Sequence, residues 1–300
     1  MKNEIELKLM LNESAIQSIK DWISIQPIIK HEKFLLENSY YDNGDRFFSS
    51  HEMGLRVRKK DDTFEMTLKT GGKTIGGLHI RPEYNVSLPN ANPDLNRLAT
   101  VGTLPFQADL AQLQASLKTI FKTDFIREKW LVEFDSVAKI EICLDQGQIE
   151  NPFMKENLCE VELELIEGDL SHLIRLLRTV PLRDGIWFSA LSKAERGYLL
   201  NDAEKASKNI DLLLNVNFAE RAFISIYQIE QFIADYIRRL DYHPELLSKF
   251  FEAHQHYDQQ LRFKTEISRE NWLAVKAFLT GADYFLHNMH ALDKICQQHR

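Results

Sequence analysis

Two textures divide the chain near residue 205. Upstream, apolar and polar residues alternate with period two, as half-buried strands require. Downstream, Gly and Pro almost vanish and apolar residues recur at helical spacing. The alternation predicts strands at 3–10, 35–43, 53–60, 63–70, 76–87, 124–134, 137–146 and 158–167. Helical spacing predicts helices at 13–24, 108–117, 169–179 and 190–204. Asn12 and Ser14 are cap candidates for the first of these, and Ser192 stands near the start of the last. Asp61-Asp62, Gly71-Gly72 and Asp145-Gln146-Gly147 are turn signals. Pro89, Pro93 and Pro105 make 88–107 a loop with a short helix. Residues 211–300 read as four helices, broken at Tyr242-His243-Pro244. Ser268 and Gly281 are placed to begin and end the third.

Residues i, i+2 and i+4 of a strand share a face. Glu4, Glu6 and Lys8 share one, opposite Ile5, Leu7 and Leu9. Later strands repeat the arrangement with Arg56 and Arg58, then Glu65, Thr67 and Lys69, then His79, Arg81 and Glu83. Arg127 and Lys129 follow, then Glu141 and Asp145, and finally Glu160, Glu162 and Glu164. Any one row is most simply a solvated sheet face. Seven rows together are not, because three carboxylates in line repel one another and call for nearby cations.

Closing the sheet with these rows inside turns the apolar faces outward, where helices such as 13–24, with Ile16, Ile19 and Ile23, can cover them. So charged an interior cannot be dry core. Carboxylates suit hard divalent cations, and Arg and Lys suit phosphate oxygens. An interior offering both describes a site for a metal-bound polyphosphate.

Composition narrows the field further. The chain is 44% apolar and 27% charged, ordinary for a globular protein, and its net charge of −7 gives no footing for a nucleic-acid or membrane-surface partner. Cys143, Cys159 and Cys296 have neither disulfide-framework nor zinc-site spacing; the first two read as small buried apolar residues. No apolar signal segment follows Met1-Lys2-Asn3-Glu4, and no apolar run is long enough to span a bilayer. The expected location is the cytoplasm.

Glu4-Ile5-Glu6-Leu7-Lys8 resembles the ExExK signature of the CYTH superfamily, the triphosphate tunnel metalloenzymes. Gly54-Leu55-Arg56-Val57-Arg58, Phe64 to Lys69, GLHIRPEYN (77–85), Arg127-Glu128-Lys129-Trp130, Leu144 to Gly147, CEVELE (159–164) and Ser192 to Tyr198 follow in the family's order. Together they look like its bacterial inorganic triphosphatase branch, over about residues 1–205. The resemblance implies an α+β fold: an eight-stranded antiparallel β-tunnel, a closed barrel with a charged interior, covered by helices. A C-terminal all-α bundle would occupy 206–300. It implies hydrolysis of tripolyphosphate with Mg²⁺ or Mn²⁺, two ions in all. Glu4, Glu6, Glu160, Glu162 and Glu164 would hold metal, with Glu83 and Asp145 as further ligands or as orienting partners of the arginines. Lys8, Arg56, Arg58, Lys69, Arg81, Arg127 and Lys129 would grip phosphates. Lys193 and Arg196 would stand on a helix closing one tunnel end.

Tyr40-Tyr41-Asp42 reads as strand-end packing with a turn Asp, or as a contact at the tunnel mouth. His243, His254, His256, His287, His290 and His299 crowd the tail, where this family often carries a CHAD domain, a helical domain linked to polyphosphate. This tail is about half the usual CHAD length, and 211–300 holds ten Lys and Arg against twelve Asp and Glu. It reads as a reduced CHAD-like bundle for packing or homodimerisation. The alternatives are a thiamine-triphosphatase or class IV adenylate cyclase in the same tunnel, or a non-catalytic polyphosphate-binding module.

Overall fold

The fold is given by a computed structural model describing residues 3–200, 202–219, 221–256 and 266–298. Arg262, Lys264, His299 and Arg300 of the tail lie outside the described residues. Ten strands form among the described residues: β1 (Asn3–Leu11), β2 (Ile28–Asp42), β3 (Gly54–Lys60), β4 (Thr63–Lys69), β5 (Lys73–Ile75), β6 (Leu78–Leu88), β7 (Lys118–Phe134), β8 (Ala138–Glu150), β9 (Lys155–Glu167) and β10 (Ile186–Phe188). Eight of them close into an antiparallel barrel in the order β1–β9–β8–β7–β2–β3–β4–β6, with β6 pairing back onto β1. The short β5 and β10 extend from β6 and β1. Asp135 and Ser136, both at positive φ, lead the three-residue turn, 135–137, from β7 to β8, a conformation matched to strand twist.

The helices are α1 (Ile16–Ser24), α2 (Phe47–Ser50), α3 (Leu95–Leu98), α4 (Leu110–Ser116), α5 (Leu170–Leu177), α6 (Lys193–Leu199), α7 (Ala203–Leu214), α8 (Phe223–Arg239), α9 (Pro244–Gln255), α10 (Arg269–Leu279) and α11 (Ala282–Gln298). The expected break at Pro244 and the Ser268 cap are present. Four expectations differ. β8 runs on to Glu150, straight through the turn expected at Asp145-Gln146-Gly147, because those residues pair with β7 and β9 on both sides. β2 and β7 begin six or seven residues earlier than alternation shows, because Lys30, His31, Glu32 and Lys33 run together and hide the period. The helix expected at 190–204 is two: Leu200 is extended, and Asp202 caps α7 through the Lys205 N–H, so α7 runs across residues 205 and 206. Asn12 precedes a single 3-10 turn, Glu13–Ala15, without a side-chain cap bond, and Ser14 lies inside that turn.

The outer apolar faces are covered as burial demands, each fully buried Leu or Ile contributing about 1.5–3 kcal/mol. Trp22 and Ile23 of α1 and Leu173 and Leu177 of α5 pack on Leu7, Leu9, Ile142 and Leu163. Phe285, Leu292 and Ile295 of α11, with Tyr227 of α8, join that same cluster. On the opposite wall, Leu95, Leu98 and Leu113 cover Leu55, Met66 and Leu68. The tail also has a core of its own around Ile233, Phe250 and Trp272. Not every inner position is charged: Leu36, Phe121, Phe125 and Leu158 form an apolar plug with Tyr198 beneath α6. No described helix is long and apolar enough to cross a membrane.

Candidate active site

The tightest acidic cluster lies beside α6. Asp145, Glu160 and Glu162 bring carboxylate oxygens within 4.8 Å of one another. The β8–β9 register sets Asp145 opposite Glu160, and β1–β9 sets Lys8 opposite Glu162. Lys8 Nζ donates to Glu162 at 2.6 Å and to Glu160 at 3.1 Å. Lys193 Nζ reaches Glu160, Glu162 at 2.9 Å and Asp145 at 2.7 Å. Arg127 is bidentate on Asp145 at 2.7 and 2.6 Å, and also donates to Glu162 at 2.6 Å. Arg196 Nη1 donates to Glu160 at 3.1 Å. Burial alone would raise the Glu162 carboxyl; Lys193, Lys8 and Arg127 outweigh it and hold the group well below the usual range.

α6 delivers its two cations through local chemistry. Ser192 and Glu195 form a reciprocal capping box at its start. Gly197 lets it approach β7, because a Cβ there would sit 2.1 Å from the Phe121 ring. Tyr198 Oη donates to Asp42 at 3.0 Å, and Asp42 accepts the N–H groups of Phe48 and Ser49. Of the two readings of Tyr40-Tyr41-Asp42, strand-end packing with a turn Asp is the one formed.

Farther along the tunnel a second set of carboxylates is unevenly neutralised: against burial, Lys8, Lys69 and Arg81 hold Glu6 down to about 2, and Lys69 and Arg56 do the same for Glu83. The register places Glu6 and Glu141 opposite Glu164 from either side. Lys69 Nζ meets Glu4 at 2.5 Å and Glu83 at 3.4 Å. Arg81 meets Glu6 at 3.6 Å. Lys129 meets Glu141 at 3.0 Å and Glu32 at 3.7 Å, toward the solvent-facing end. The Glu164 carboxylate has no ion pair or hydrogen bond among the described residues. Burial, with Glu4 and Glu141, pushes its carboxyl up to about 7. Burial also raises Glu4 despite Lys69.

The arginines show the complementary imbalance. Arg58 Nε donates to the Asn38 amide oxygen at 2.8 Å, and Arg56 Nη2 to Thr67 Oγ1 at 3.1 Å. Neither has a carboxylate partner among the described residues. The Nε groups of Arg56 and Arg81 are buried without any acceptor. Burial, then Arg56 and Arg127, lower the Arg58 guanidinium to about 9. Cations crowded together with spare donors form a receptor for an anion.

All sixteen candidate positions thus line one interior. Glu65 is exposed at its rim. Cys143 also faces inward, its thiol donating to Glu141 at 3.4 Å, and Cys159 is only half-buried. Sequence reasoning passed over Asn38, Asn85, Glu32 and Glu156. Asn38 has the parity of Leu36 and Tyr40, but neutral residues give a charge pattern no signal.

The CYTH domain family model matches residues 2–198. The chain belongs to the CYTH domain family. A Haemophilus influenzae inorganic triphosphatase is 35% identical over 281 residues, covering 86% of this chain and 77% of that one. Among solved CYTH-like structures, a Hippeastrum adenylyl cyclase homologue described as having dominant triphosphatase activity is 19% identical, with TM-score 0.45, covering 67% of this chain and 99% of that one. A Mimivirus capping-enzyme triphosphatase is 15% identical, with TM-score 0.36, covering 60% and 90%. The CYTH match ends before α7, so the helical tail lies outside it.

Proposed function

We propose that this CYTH protein hydrolyses inorganic triphosphate to pyrophosphate and phosphate, with a divalent metal, inside the tunnel. One observation carries the reading: among the described residues the interior holds a carboxylate without a cation partner, Glu164, and two arginines without a carboxylate partner, Arg56 and Arg58. Glu4, Glu6 and Glu164 are the metal ligands in this proposal. Their oxygen-only donor set suits Mg²⁺ or Mn²⁺, and a cation there relieves the mutual repulsion that raises Glu164. A bound ion supplies charge neutralisation and a more acidic water.

Arg56, Arg58, Arg81 and Arg127, with Lys69, bind and orient the phosphate chain. Their charge offsets the negative charge that discourages attack, and positioned cations near the leaving oxygen favour departure of pyrophosphate. Lys129 guides the anion in at the solvent-facing end. Asp145, Glu160 and Glu162 already hold Lys8, Arg127 and Lys193, so they orient these cations. A second ion there would have to displace a lysine, so we assign it to arrive with the triphosphate. Lys8, Lys193 and Arg196 set the limit of the phosphate chain at the closed end.

Residues 1–205 as catalytic unit, and 206–300 as a reduced CHAD-like bundle, remain our division by chemistry. Homodimerisation through the tail is tested by light scattering of the full chain. The functional test compares phosphate release from tripolyphosphate, thiamine triphosphate and ATP, with Mg²⁺ and with Mn²⁺. Preference for tripolyphosphate supports the proposal. Conversion of ATP to a cyclic nucleotide would favour the cyclase alternative, and binding without turnover the polyphosphate-binding module.

A further inference from the structure

The tail does more than cover the barrel. A cleft of about 450 Å³ separates α8 from the barrel end, and polar contacts cross it. One set grips the strap that leads into α6. Asp235 of α8, almost wholly buried, accepts the Ala190 N–H at 2.7 Å, the Leu191 N–H at 3.3 Å and the Ser189 hydroxyl at 3.3 Å. Arg238 pairs with Asp235 at 2.8 Å and donates to the Phe188 carbonyl at 3.2 Å. The strap's Ser189 carbonyl in turn lies 3.3 Å from His79 Nε2, and Arg81 donates to His79 Nδ1 at 3.0 Å.

A second set reaches the tunnel through β9. Arg239 of α8 and Arg196 of α6 share one oxygen of Glu156, at 2.7 and 2.8 Å. Arg196 then contacts Glu160 inside the tunnel. A third contact, Gln228 to the Thr74 carbonyl at 2.7 Å, fixes the β5–β6 hairpin next to His79. One helix of the tail therefore holds both ends of the path to Lys193, Arg196 and Arg81.

We propose that α8 is the positioning element of the active site: Asp235 fixes the strap before α6, and Arg239, acting through Glu156, fixes Arg196. The kinetic half of this inference rests on the triphosphatase reading. The structural half does not. Asp235 and Arg239 touch no reacting group; they are positioning residues.

The test uses the full chain. Arg239→Gln, at a half-buried position that tolerates change, is expected to lower kcat/KM for tripolyphosphate by about tenfold with an unchanged melting temperature. Arg239→Lys should restore most of that loss. In an Arg196→Ala background the same substitution should cost about twofold or less, because residues acting through one another are not additive. Hydrogen exchange supplies the second arm. Asp235→Asn should speed exchange of the Ala190 and Leu191 amides and of α6 by about tenfold or more, by local opening. Unchanged exchange, or an Arg239→Gln loss undiminished in the Arg196→Ala background, would overturn the proposal. If the wild-type chain hydrolyses no tripolyphosphate, the functional reading fails and hydrogen exchange still decides the clamp.

Discussion

The tunnel holds two acidic clusters, and the more compact one is the more fully compensated by lysine and arginine. Asp145, Glu160 and Glu162 are deeply buried and close together, yet Lys8, Arg127, Lys193 and Arg196 already compensate them. Glu4, Glu6 and Glu164 are spread over two strands; Lys69 meets Glu4, Lys8 and Arg81 meet Glu6, and Glu164 has no cation partner among the described residues. Proximity of carboxylates marks where charge is concentrated; the remaining imbalance marks where charge is still wanted. A buried, paired cluster costs desolvation and contributes specificity of geometry. An unpaired carboxylate held near neutral pH offers a hard cation its ligand.

The contrast can be broken by mutation. Glu6→Ala removes a proposed metal ligand beside Glu164 and should lower turnover by about 10²- to 10⁴-fold, several kcal/mol of lost metal assistance. The fold should persist by circular dichroism; a near wild-type rate at saturating metal would refute the assignment. Lys8→Met acts on the balanced cluster. It takes one cation from Glu160 and Glu162, which keep Lys193, Arg196 and Arg127, and should destabilise the fold by about 1–3 kcal/mol in denaturant unfolding. The exposed Lys208–Glu204 pair of the tail, by contrast, should contribute little to stability, because solvent screens it.

Arg58→Ala probes the anion side. It should reduce kcat/KM by about 10- to 1000-fold through loss of charge-assisted contacts, with little loss of stability, since Arg58 has only Asn38 as partner. Unchanged kinetics would mean that the arginine is scaffolding.

The pH dependence sharpens the picture by a smaller amount. Burial, then Arg81 and Lys8, push the His79 imidazole down to about 3. Its folded value lies below its unfolded one. The stability held by neutral His79 is therefore present above about pH 6.5 and is lost as pH falls toward 3, at up to about 1.4 kcal/mol per pH unit. Glu164 acts oppositely between its raised value near 7 and the ordinary 4.5, so the difference between variants isolates the histidine. The gap in stability between wild type and His79→Gln should shift in favour of the variant as pH drops from 7 to 5. A pH-independent gap would mean that folding leaves the His79 pKa unchanged, and a shift in favour of wild type that His79 is charged in the fold.

The barrel and most of its contents were legible because closure obeys strand parity. Once Glu4, Glu6 and Lys8 share a face opposite Leu7 and Leu9, each following strand repeats the choice, and the ligand chemistry follows. Charge balance was not legible, since it depends on register: nothing in the spacing of Lys8 says that it falls opposite Glu162. The reach of Lys193 from α6 likewise depends on the close approach at Gly197. Nor was α8 visible as part of the site. Asp235 and Arg239 lie among the tail's helical residues without a motif, and only the folded chain brings them to Ser189 and Glu156.

The measurement that tests the comparison most directly is Mn²⁺ binding by calorimetry to three full-length proteins: wild type, Glu164→Gln and Glu160→Gln. If charge imbalance selects the metal site, Glu164→Gln loses affinity by about 10-fold or more while Glu160→Gln stays within about threefold of wild type. The reverse ranking, with Glu160→Gln abolishing binding and Glu164→Gln unaffected, would place the metal in the compact cluster and contradict the account.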